Sequence, residues 1–293
     1  MIWIQEWLMS GIRLSLPLIF AAYGGMLSER SGVANISLEA YLLASSFAAA
    51  TAMVLTHSFA LSLSAGVGAS LLVGLIFSFF TLKAKGDQII IGMAVNLCTM
   101  GLIPVINKAV FDVSGQTPAL GEADRFSGAG AFMIVGVLVV MFVSFYFSKT
   151  KLGLRVLAAG ENPNALRSQG VDVGRTRLKS ILLGAAIASI GGIYLSLCGG
   201  SGYTRNMSAG RGFIALAALI FGRWRPLPTL LGCLFFGLAD ALQILLQSVP
   251  LLPGGQTLPT QFVQALPYLV TLFILAGYGG KTKAPAAINQ PTL

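Results

Sequence analysis

The sequence predicts an all-α protein, a polytopic bundle of transmembrane helices, from its composition, its apolar runs and its distribution of charge. Of the 293 residues, 55% are hydrophobic and only 10% are charged, whereas a soluble domain carries about 25% charged residues. The 35 glycines suit helices whose backbones approach closely in lipid. We expect residues 1–293 to form a single transmembrane domain.

Apolar runs of the length needed to cross a bilayer, roughly 20 residues, follow one another along the chain. They lie at 7–28, 33–55, 59–82, 88–107, 131–148, 180–198, 227–247 and 264–279. A shorter run at 212–223 predicts a half-helix that enters the membrane and stops there. The chain therefore predicts about 8–9 transmembrane helices, one or more of them broken.

The first two runs meet at a polar segment, and its first charges mark the end of a helix. Glu29 and Arg30 are adjacent and would lie near a membrane surface. Ser31 and Gly32 would then interrupt the chain, and we expect the next helix to begin near Val33.

Three polar residues follow in that second helix. Asn35 and Glu39 are four residues apart, so they would share one helical face. Two interpretations stay open. Either these groups fix the packing of neighbouring helices by hydrogen bonds, or Asn35, Ser37 and Glu39 line a polar path through the bundle or hold its gate.

Later runs carry further polar groups at membrane depth, where ionisable side chains usually face the bundle interior. Asn96 lies in the middle of one run, and Asp240 and Gln243 lie three residues apart in another. Each is either a structural hydrogen-bonding group or part of a polar path. Phe213 is one of several aromatic residues that could stack on a base, although most of the 18 phenylalanines should face lipid or the core.

Lys and Arg are concentrated in a few loops. The segment 149–179 carries seven of them against Glu161 and Asp172, whereas the 108–130 loop has no basic excess. Positive charge marks the cytoplasmic side of a membrane protein. The loops that we expect inside are 83–87, 149–179, 223–226 and the 280–293 tail, and those outside are 108–130, 199–211 and 248–263.

The longest basic segment has a pattern of its own. LRVLAAGENPNALRSQGV, from Leu154, predicts two short helices separated by a break at 160–163. Asn162 precedes a proline, which biases it away from helical geometry, and Pro163 suits the first turn of the next helix. The segment is either an ordinary basic loop or a docking element for a cytoplasmic protein that supplies energy.

Patterns that would indicate catalysis or cofactor binding do not occur in the sequence. His57 is the only histidine, the three cysteines are isolated in apolar runs, and there is no GxxxxGK[ST] phosphate loop. We therefore expect no catalytic residue, no metal site and no cofactor in this chain. The net charge of +9 reflects the basic loops and is not taken as a sign of nucleic-acid binding.

Three separated blocks of the sequence resemble one family. They are SERSGVANISLEAYLL (28–43), GLRVLAAGENPNALRSQGVDV (153–173) and GRGFIALAALIFGRWRPLPTLLGCLFFGLADALQ (210–243). In this order they resemble the membrane permease subunits of bacterial ABC importers, in the branch shared by ribose, branched-chain amino acid and nucleoside transporters. They are most similar to the nucleoside, or simple-sugar-type, permeases, and the resemblance covers nearly the whole chain.

The resemblance implies a type II importer permease fold in the cell membrane and a set of partners. These are a second permease subunit, often a paralogue, a cytoplasmic ABC ATPase that uses the ATP, and an extracytoplasmic substrate-binding lipoprotein that delivers a nucleoside or sugar. In that family the loop with the A-x-G-E-N-P pattern couples the permease to the ATPase. The corresponding residues here are Arg155, Ala158, Gly160, Glu161, Asn162, Pro163 and Arg167.

Two other functional classes stay as alternatives. A stand-alone secondary transporter would use Asp240 and Glu39 to couple transport to protons or sodium. An integral membrane enzyme is the weakest alternative, because the sequence has no catalytic cluster. Uptake by the isolated chain under a proton gradient would favour the secondary transporter, and a neighbouring ATPase and binding lipoprotein would favour the importer.

Overall fold

The computed structural model describes residues 2–121, 124, 126, 128–248 and 284–289. This part of the chain is helical apart from loops and one isolated β-bridge between Gln116 and Thr204, as the sequence predicted. The apolar run at 264–279 and most of the expected 248–263 loop lie outside the described residues, as do Lys281 and Lys283.

Ten α-helices form the described part of the fold, and α3 continues into a π-helical turn at Phe79–Lys83. The helices are α1 Ile2–Glu29, α2 Leu38–Thr56, α3 Phe59–Ser78, α4 Gln88–Phe111, α5 Ala129–Lys149, α6 Lys151–Glu161, α7 Pro163–Ser168, α8 Val173–Leu197, α9 Arg211–Phe221 and α10 Pro226–Ser248.

Seven of the described helices, α1 to α5, α8 and α10, are long and apolar enough to cross a membrane. The α9 helix has only 11 residues, which at 1.5 Å per residue is about 16 Å, roughly half of the hydrocarbon core. It coincides with the half-helix predicted at 212–223. Within the described residues, the structure therefore accounts for eight of the nine apolar runs.

The α1, α2 and α8 helices form the centre of the bundle. In their most apolar stretches 67%, 72% and 78% of the residues are buried, against 22% for α4 and 28% for α5. The α1 and α8 helices meet at Gly24 and Gly184, where a β-carbon on either residue would collide with the other backbone. Small residues at a crossing point are typical of helices that pack in lipid, and the exposed apolar side chains of α4 and α5 suit a lipid-facing position.

The helix that follows α1 begins later than the sequence predicted, at Leu38 and not near Val33. The Asn35 side chain accepts hydrogen bonds from the backbone N–H and the hydroxyl of Ser37, and such local bonds compete with helix formation. The prediction that Asn35 and Glu39 share a helical face is therefore wrong, because only Glu39 lies in α2.

One end of the bundle gathers the turn after α1, the loop before α4, the α6–α7 segment and the turn between α9 and α10. The Ala34 N–H donates to Gln88 Oε1 at 2.6 Å, and the buried Arg177 donates from Nε to the Ser31 carbonyl at 3.1 Å. These contacts place the loops that charge predicted as cytoplasmic next to one another.

The other end joins the loop after α4 to the loop after α8. The Thr117 N–H donates to the Tyr203 carbonyl at 3.0 Å, and the Tyr203 N–H donates to Thr117 Oγ1 at 2.9 Å. His57 Nδ1 lies 2.8 Å from Asp124 Oδ2. Among the described residues, the two loops predicted outside, 108–130 and 199–211, thus meet through 116–117 and 203–204. The assignment of either end to the cytoplasm stays a prediction.

Candidate functional site

The half-helix α9 begins against a buried carboxylate. Glu39, 2% exposed in the first turn of α2, accepts the N–H of Gly210 at 2.8 Å and that of Gly212 at 2.7 Å. The Ser208 hydroxyl donates to the same carboxylate. The first N–H groups of a helix have no partner within the helix, and the helix dipole favours a negative charge there. Glu39 meets both requirements for α9.

The other end of α9 is tied to the end of α1. The chain turns through Trp224, which has a φ of +53°, and the indole N–H of Trp224 donates to the Glu29 carboxylate. The Tyr23 hydroxyl donates to the Pro226 carbonyl at 2.6 Å. The two acidic residues of the polar segment 28–43 therefore hold the two ends of one half-helix.

Amide side chains stabilise the break between α1 and α2. Asn35 is fully buried and donates to Ser28 Oγ at 3.0 Å. Asn96, from α4, accepts the Ala40 N–H at 2.9 Å and donates to the Ile36 carbonyl at 2.9 Å. In a membrane protein, non-helical backbone at depth is tolerated where protein groups satisfy it, and these amides do so here.

The structure brings together four of the seven predicted path residues. Asn35, Ser37, Glu39 and Asn96 form a buried group around the start of α2, and they make hydrogen bonds to other groups of the chain itself. Of the other three, Phe213 follows Gly212 on the first turn of α9 and is 43% exposed, and Asp240 and Gln243 are half-buried on α10. Contact between any of the seven and a substrate stays a prediction.

A cavity of about 670 Å³, lined by both polar and apolar side chains, lies between α1, α8, α10 and the loop that precedes α9. Its lining includes Arg13, Tyr194, Thr204 and Arg211. The Arg211 guanidinium is close enough to Asp240 to interact with it electrostatically. Neither arginine was among the path residues predicted from the sequence. A charged residue next to or within an apolar run could have indicated both of them.

The basic segment forms the two short helices that the sequence predicted. The α6 helix ends at Glu161, and Asn162 Oδ1 accepts the Ala165 N–H at 3.1 Å as the N-cap of α7. Pro163 occupies the first turn of α7. The break therefore follows from the Asn-Pro pair itself. Proline has no N–H group, and the first position of a helix needs none.

The predicted coupling residues divide by exposure. Four side chains are exposed and two are half-buried: Arg155, Glu161, Asn162 and Arg167 in the first group, Ala158 and Pro163 in the second. Gly160 is buried, and a β-carbon there would collide with the Arg30 carbonyl oxygen. The exposed residues are available to a partner, whereas Gly160 allows α6 to lie against the chain's own turn. The coupling role of the set stays a prediction.

The described segment 284–289, which we call the strap, packs on the same turn and helix. Ala287 is 1% exposed and donates its N–H to the Gly160 carbonyl at 2.8 Å. Asn289 Nδ2 lies 3.5 Å from Asp87 Oδ2 in the loop before α4. The sequence suggested only a tail here, because the segment has neither apolar periodicity nor a motif.

Arg30, in the α1–α2 turn, is a partly buried charged residue that lies close to α6. Burial lowers the pKa of Arg30 below its ordinary value, and the nearby Glu161 carboxylate opposes that shift. The Arg30 guanidinium lies 5.9 Å from the centre of the Phe147 ring, which is a cation–π geometry. Arg30 is thereby linked to an exposed residue of the predicted coupling set.

Metal binding has no support in the described part of the chain. No group of three or more His, Cys, Asp or Glu side chains among the described residues could hold a metal ion.

Comparison with known proteins gives one family and several full-length relatives. A family model described as "Branched-chain amino acid transport system / permease component" matches residues 7–275. The guanosine ABC transporter permease protein NupQ of Bacillus subtilis (strain 168) is 32% identical, over 94% of this chain and 92% of its own length. The nucleoside ABC transporter permease protein NupC of Lactococcus lactis subsp. cremoris (strain MG1363) is 32% identical, over 93% and 92%. The putative glucose ABC transporter permease protein TsgC13 of Haloferax volcanii is 29% identical, over 90% and 89%.

Proposed function

Because the chain belongs to the branched-chain amino acid transport system permease family and is a multi-pass membrane permease subunit of an ABC importer, we propose that its substrate is a nucleoside or a related riboside. The observation that carries this proposal is the identity of 32% to both a guanosine and a nucleoside permease, over more than nine-tenths of each chain. A simple sugar is the second candidate, and the 29% identity to a glucose permease supports it.

The partners of the chain follow from this role. A permease of this class works with a cytoplasmic ABC ATPase, a substrate-binding protein and a second permease subunit. We propose that the second subunit is a paralogue and that the binding protein is an extracytoplasmic lipoprotein. This chain would hydrolyse no ATP and carry no cofactor of its own, so the ATPase supplies the energy.

We propose that the end of the bundle with the α6–α7 segment faces the cytoplasm. The excess of Lys and Arg in 149–179 supports this orientation, since positive charge marks the cytoplasmic side. The strap lies at the same end, which agrees with a cytoplasmic position for 280–293. The exposed residues Arg155, Glu161, Asn162 and Arg167 would then meet the ATPase.

A contiguous set of contacts could carry movement from the ATPase to the membrane path. The α6 helix touches the α1–α2 turn where Gly160 meets Arg30. That turn leads into α2, and Glu39 on α2 holds the N-terminus of α9. Because α9 is held at both ends, it would move together with the turn when the ATPase displaces α6, in the manner of a rigid-body shift.

The exposed start of α9 and the neighbouring half-buried polar groups are our proposal for the substrate-lining surface. Phe213 could stack on a base, and Asp240 and Gln243 could hydrogen-bond ribose hydroxyls. We expect these contacts to be weak, because a permease supplied by a binding protein must release its substrate readily.

Substrate choice can be tested with the complete importer in proteoliposomes. The four components are reconstituted with ATP on the cytoplasmic side, and uptake of labelled guanosine is competed with unlabelled adenosine, uridine, ribose or glucose. We expect nucleosides to compete and glucose not to compete. No uptake of labelled guanosine, with uptake of labelled glucose by the same proteoliposomes, would overturn the nucleoside proposal and favour the sugar.

A further inference from the structure

A second cavity, of about 750 Å³, lies between α5, α6 and the first turns of α8. It shares no lining residue with the cavity between α1, α8 and α10. Its volume falls within the range of small-molecule sites. The cavity is walled on one side by the coupling helix α6, through Arg155 and Val156. Whatever occupies it therefore touches the element that is expected to meet the ATPase.

The mouth of this cavity is basic. Arg155, Arg175 and Lys179 line it together with one carboxylate, Asp172. That carboxylate is already engaged: it accepts the Arg175 N–H at 3.0 Å as the N-cap of α8, and it lies 3.3 Å from Arg175 Nε. The cavity therefore has an excess of positive charge and favours an anion.

The part of the cavity farthest from the end of α5 and the start of α8 is apolar and lies at membrane depth. Phe142 is seven residues from the end of α5, or about 10 Å, and Leu183 is ten residues from the start of α8, or about 15 Å, at 1.5 Å per residue. Both line the cavity. Tyr146 lies between these apolar side chains and the basic mouth, as is usual for tyrosine at a membrane interface.

A neighbouring groove extends the same basic band. It lies between the end of α3 and the start of α8, has a volume of about 1080 Å³, and shares Arg175 and its partner Asp172 with the first cavity. Lys83 adds a further positive charge on its rim, beside the apolar Leu75 and Phe79. The groove thus repeats the arrangement of the cavity, with basic side chains near the start of α8 and apolar side chains beside them.

We propose that the cavity between α5, α6 and α8 binds an anionic phospholipid of the cytoplasmic leaflet. The phosphate would lie at Arg175 and Lys179, and an acyl chain would lie along Phe142 and Leu183. Basic pockets between transmembrane helices on the cytoplasmic side are suited to anionic headgroups. A soluble partner could cover the basic mouth but would not fill the apolar part at membrane depth, so the combination indicates a lipid.

The leaflet named here rests on the proposed orientation of the permease, but binding itself can be measured without transport. The full chain, purified in detergent, is titrated with phosphatidylglycerol or phosphatidylcholine of the same acyl composition, and bound lipid is counted by native mass spectrometry. The test variant is Arg175→Gln with Lys179→Gln. The matched control is Lys149→Gln with Lys151→Gln, which removes the same charge from exposed positions outside the cavity.

We expect one phosphatidylglycerol to bind more tightly than phosphatidylcholine, and the test variant to lose about ten-fold in that affinity. The control variant should stay within about two-fold, as expected of charges that only contribute to the general surface potential. Equal losses in both variants, or no preference for phosphatidylglycerol in the wild-type chain, would overturn the site. Displacement by equimolar glycerol phosphate would also overturn it, because the site would then take a soluble anion. If lipid binds as expected but the importer carries no nucleoside, only the proposed substrate is wrong.

Discussion

Glu39 is a buried carboxylate whose donors all come from one short stretch, 208–212. The sequence marked this residue as unusual, since a charge in an apolar run is unfavourable unless it is paired. It could not identify the donors, because they lie about 170 residues away along the chain. Spacing within a segment predicts only neighbours on the same element.

Replacing Glu39 by Ala should destabilise the protein. The substitution leaves the buried Gly212 N–H and Ser208 hydroxyl and the half-buried Gly210 N–H without their acceptor, and we expect a loss of about 2–4 kcal/mol. Glu39→Gln keeps one acceptor oxygen and should lose less. The melting temperature of the purified chain in detergent measures this order.

Glu6→Ala is the control for that prediction, because Glu6 is exposed and its removal should leave the melting temperature almost unchanged. If Glu39→Ala melts at the wild-type temperature, Glu39 does not hold α9 in solution.

Trp224 gives a second test at the same scale. Trp224→Phe keeps an aromatic ring but removes the N–H that donates to the buried Glu29 carboxylate, which should lower stability by about 1–3 kcal/mol. Trp7→Phe removes a bond from an indole to the neutral Leu238 carbonyl and should lower it less. Equal effects in thermal melts would argue against a special role for the Glu29 contact.

Among the elements, the long helices and the α6–α7 break were predictable, whereas the late start of α2 was not. Long apolar runs predicted the membrane-crossing helices, because a segment in lipid must satisfy its backbone hydrogen bonds internally, as a helix does. The non-helical stretch before Leu38 was missed, since Asn35 and Asn96 stabilise it through side chains that local propensity does not capture. The α6–α7 break was predicted correctly, because an Asn-Pro pair acts locally.

Removing the exposed carboxylate of the α6–α7 segment should weaken the coupling between the permease and the ATPase. In the assembled importer, Glu161→Ala should reduce solute-stimulated ATP hydrolysis at least about five-fold, because Glu161 is exposed and is proposed to meet the ATPase. Gly160→Ala should have the same effect for another reason, since its β-carbon would collide with the α1–α2 turn.

The control for Gly160→Ala is Gly68→Ala, where an added β-carbon meets no atom within 4 Å. Complex assembly, followed by size-exclusion chromatography, should survive Glu161→Ala. Stimulated hydrolysis at the wild-type rate in the Glu161→Ala, Gly160→Ala double variant would refute the docking role.

The strap predicts a further effect on coupling. Ala287→Asp places a charge at a position that is 1% exposed and should release the strap from Gly160. We expect transport per ATP to fall about three-fold or more, and hydrogen exchange in 153–168 to increase.

Ala284→Asp makes the same chemical change at an exposed position three residues earlier and should leave both measurements unchanged. If Ala287→Asp also leaves them unchanged, the strap does not restrain α6.

At the scale of the whole molecule, charge and apolar length already defined a membrane bundle with its loops in two sets. Among the described residues, Ala34 contacts Gln88 at one end of the bundle and Thr117 contacts Tyr203 at the other, whereas 208–212 reaches Glu39 at the start of α2. The cavity between α1, α8 and α10 was less predictable, because Arg13 and Arg211, which line it, come from distant parts of the sequence and meet only in the fold.

The most direct test concerns the energy source. The purified chain alone, and the chain assembled with its ATPase, second permease and binding lipoprotein, are sealed in liposomes and supplied with labelled guanosine. The assembled importer should accumulate guanosine only with ATP, and the chain alone should accumulate none under a proton or sodium gradient. Uphill uptake by the chain alone, driven by an ion gradient without ATP, would contradict the account.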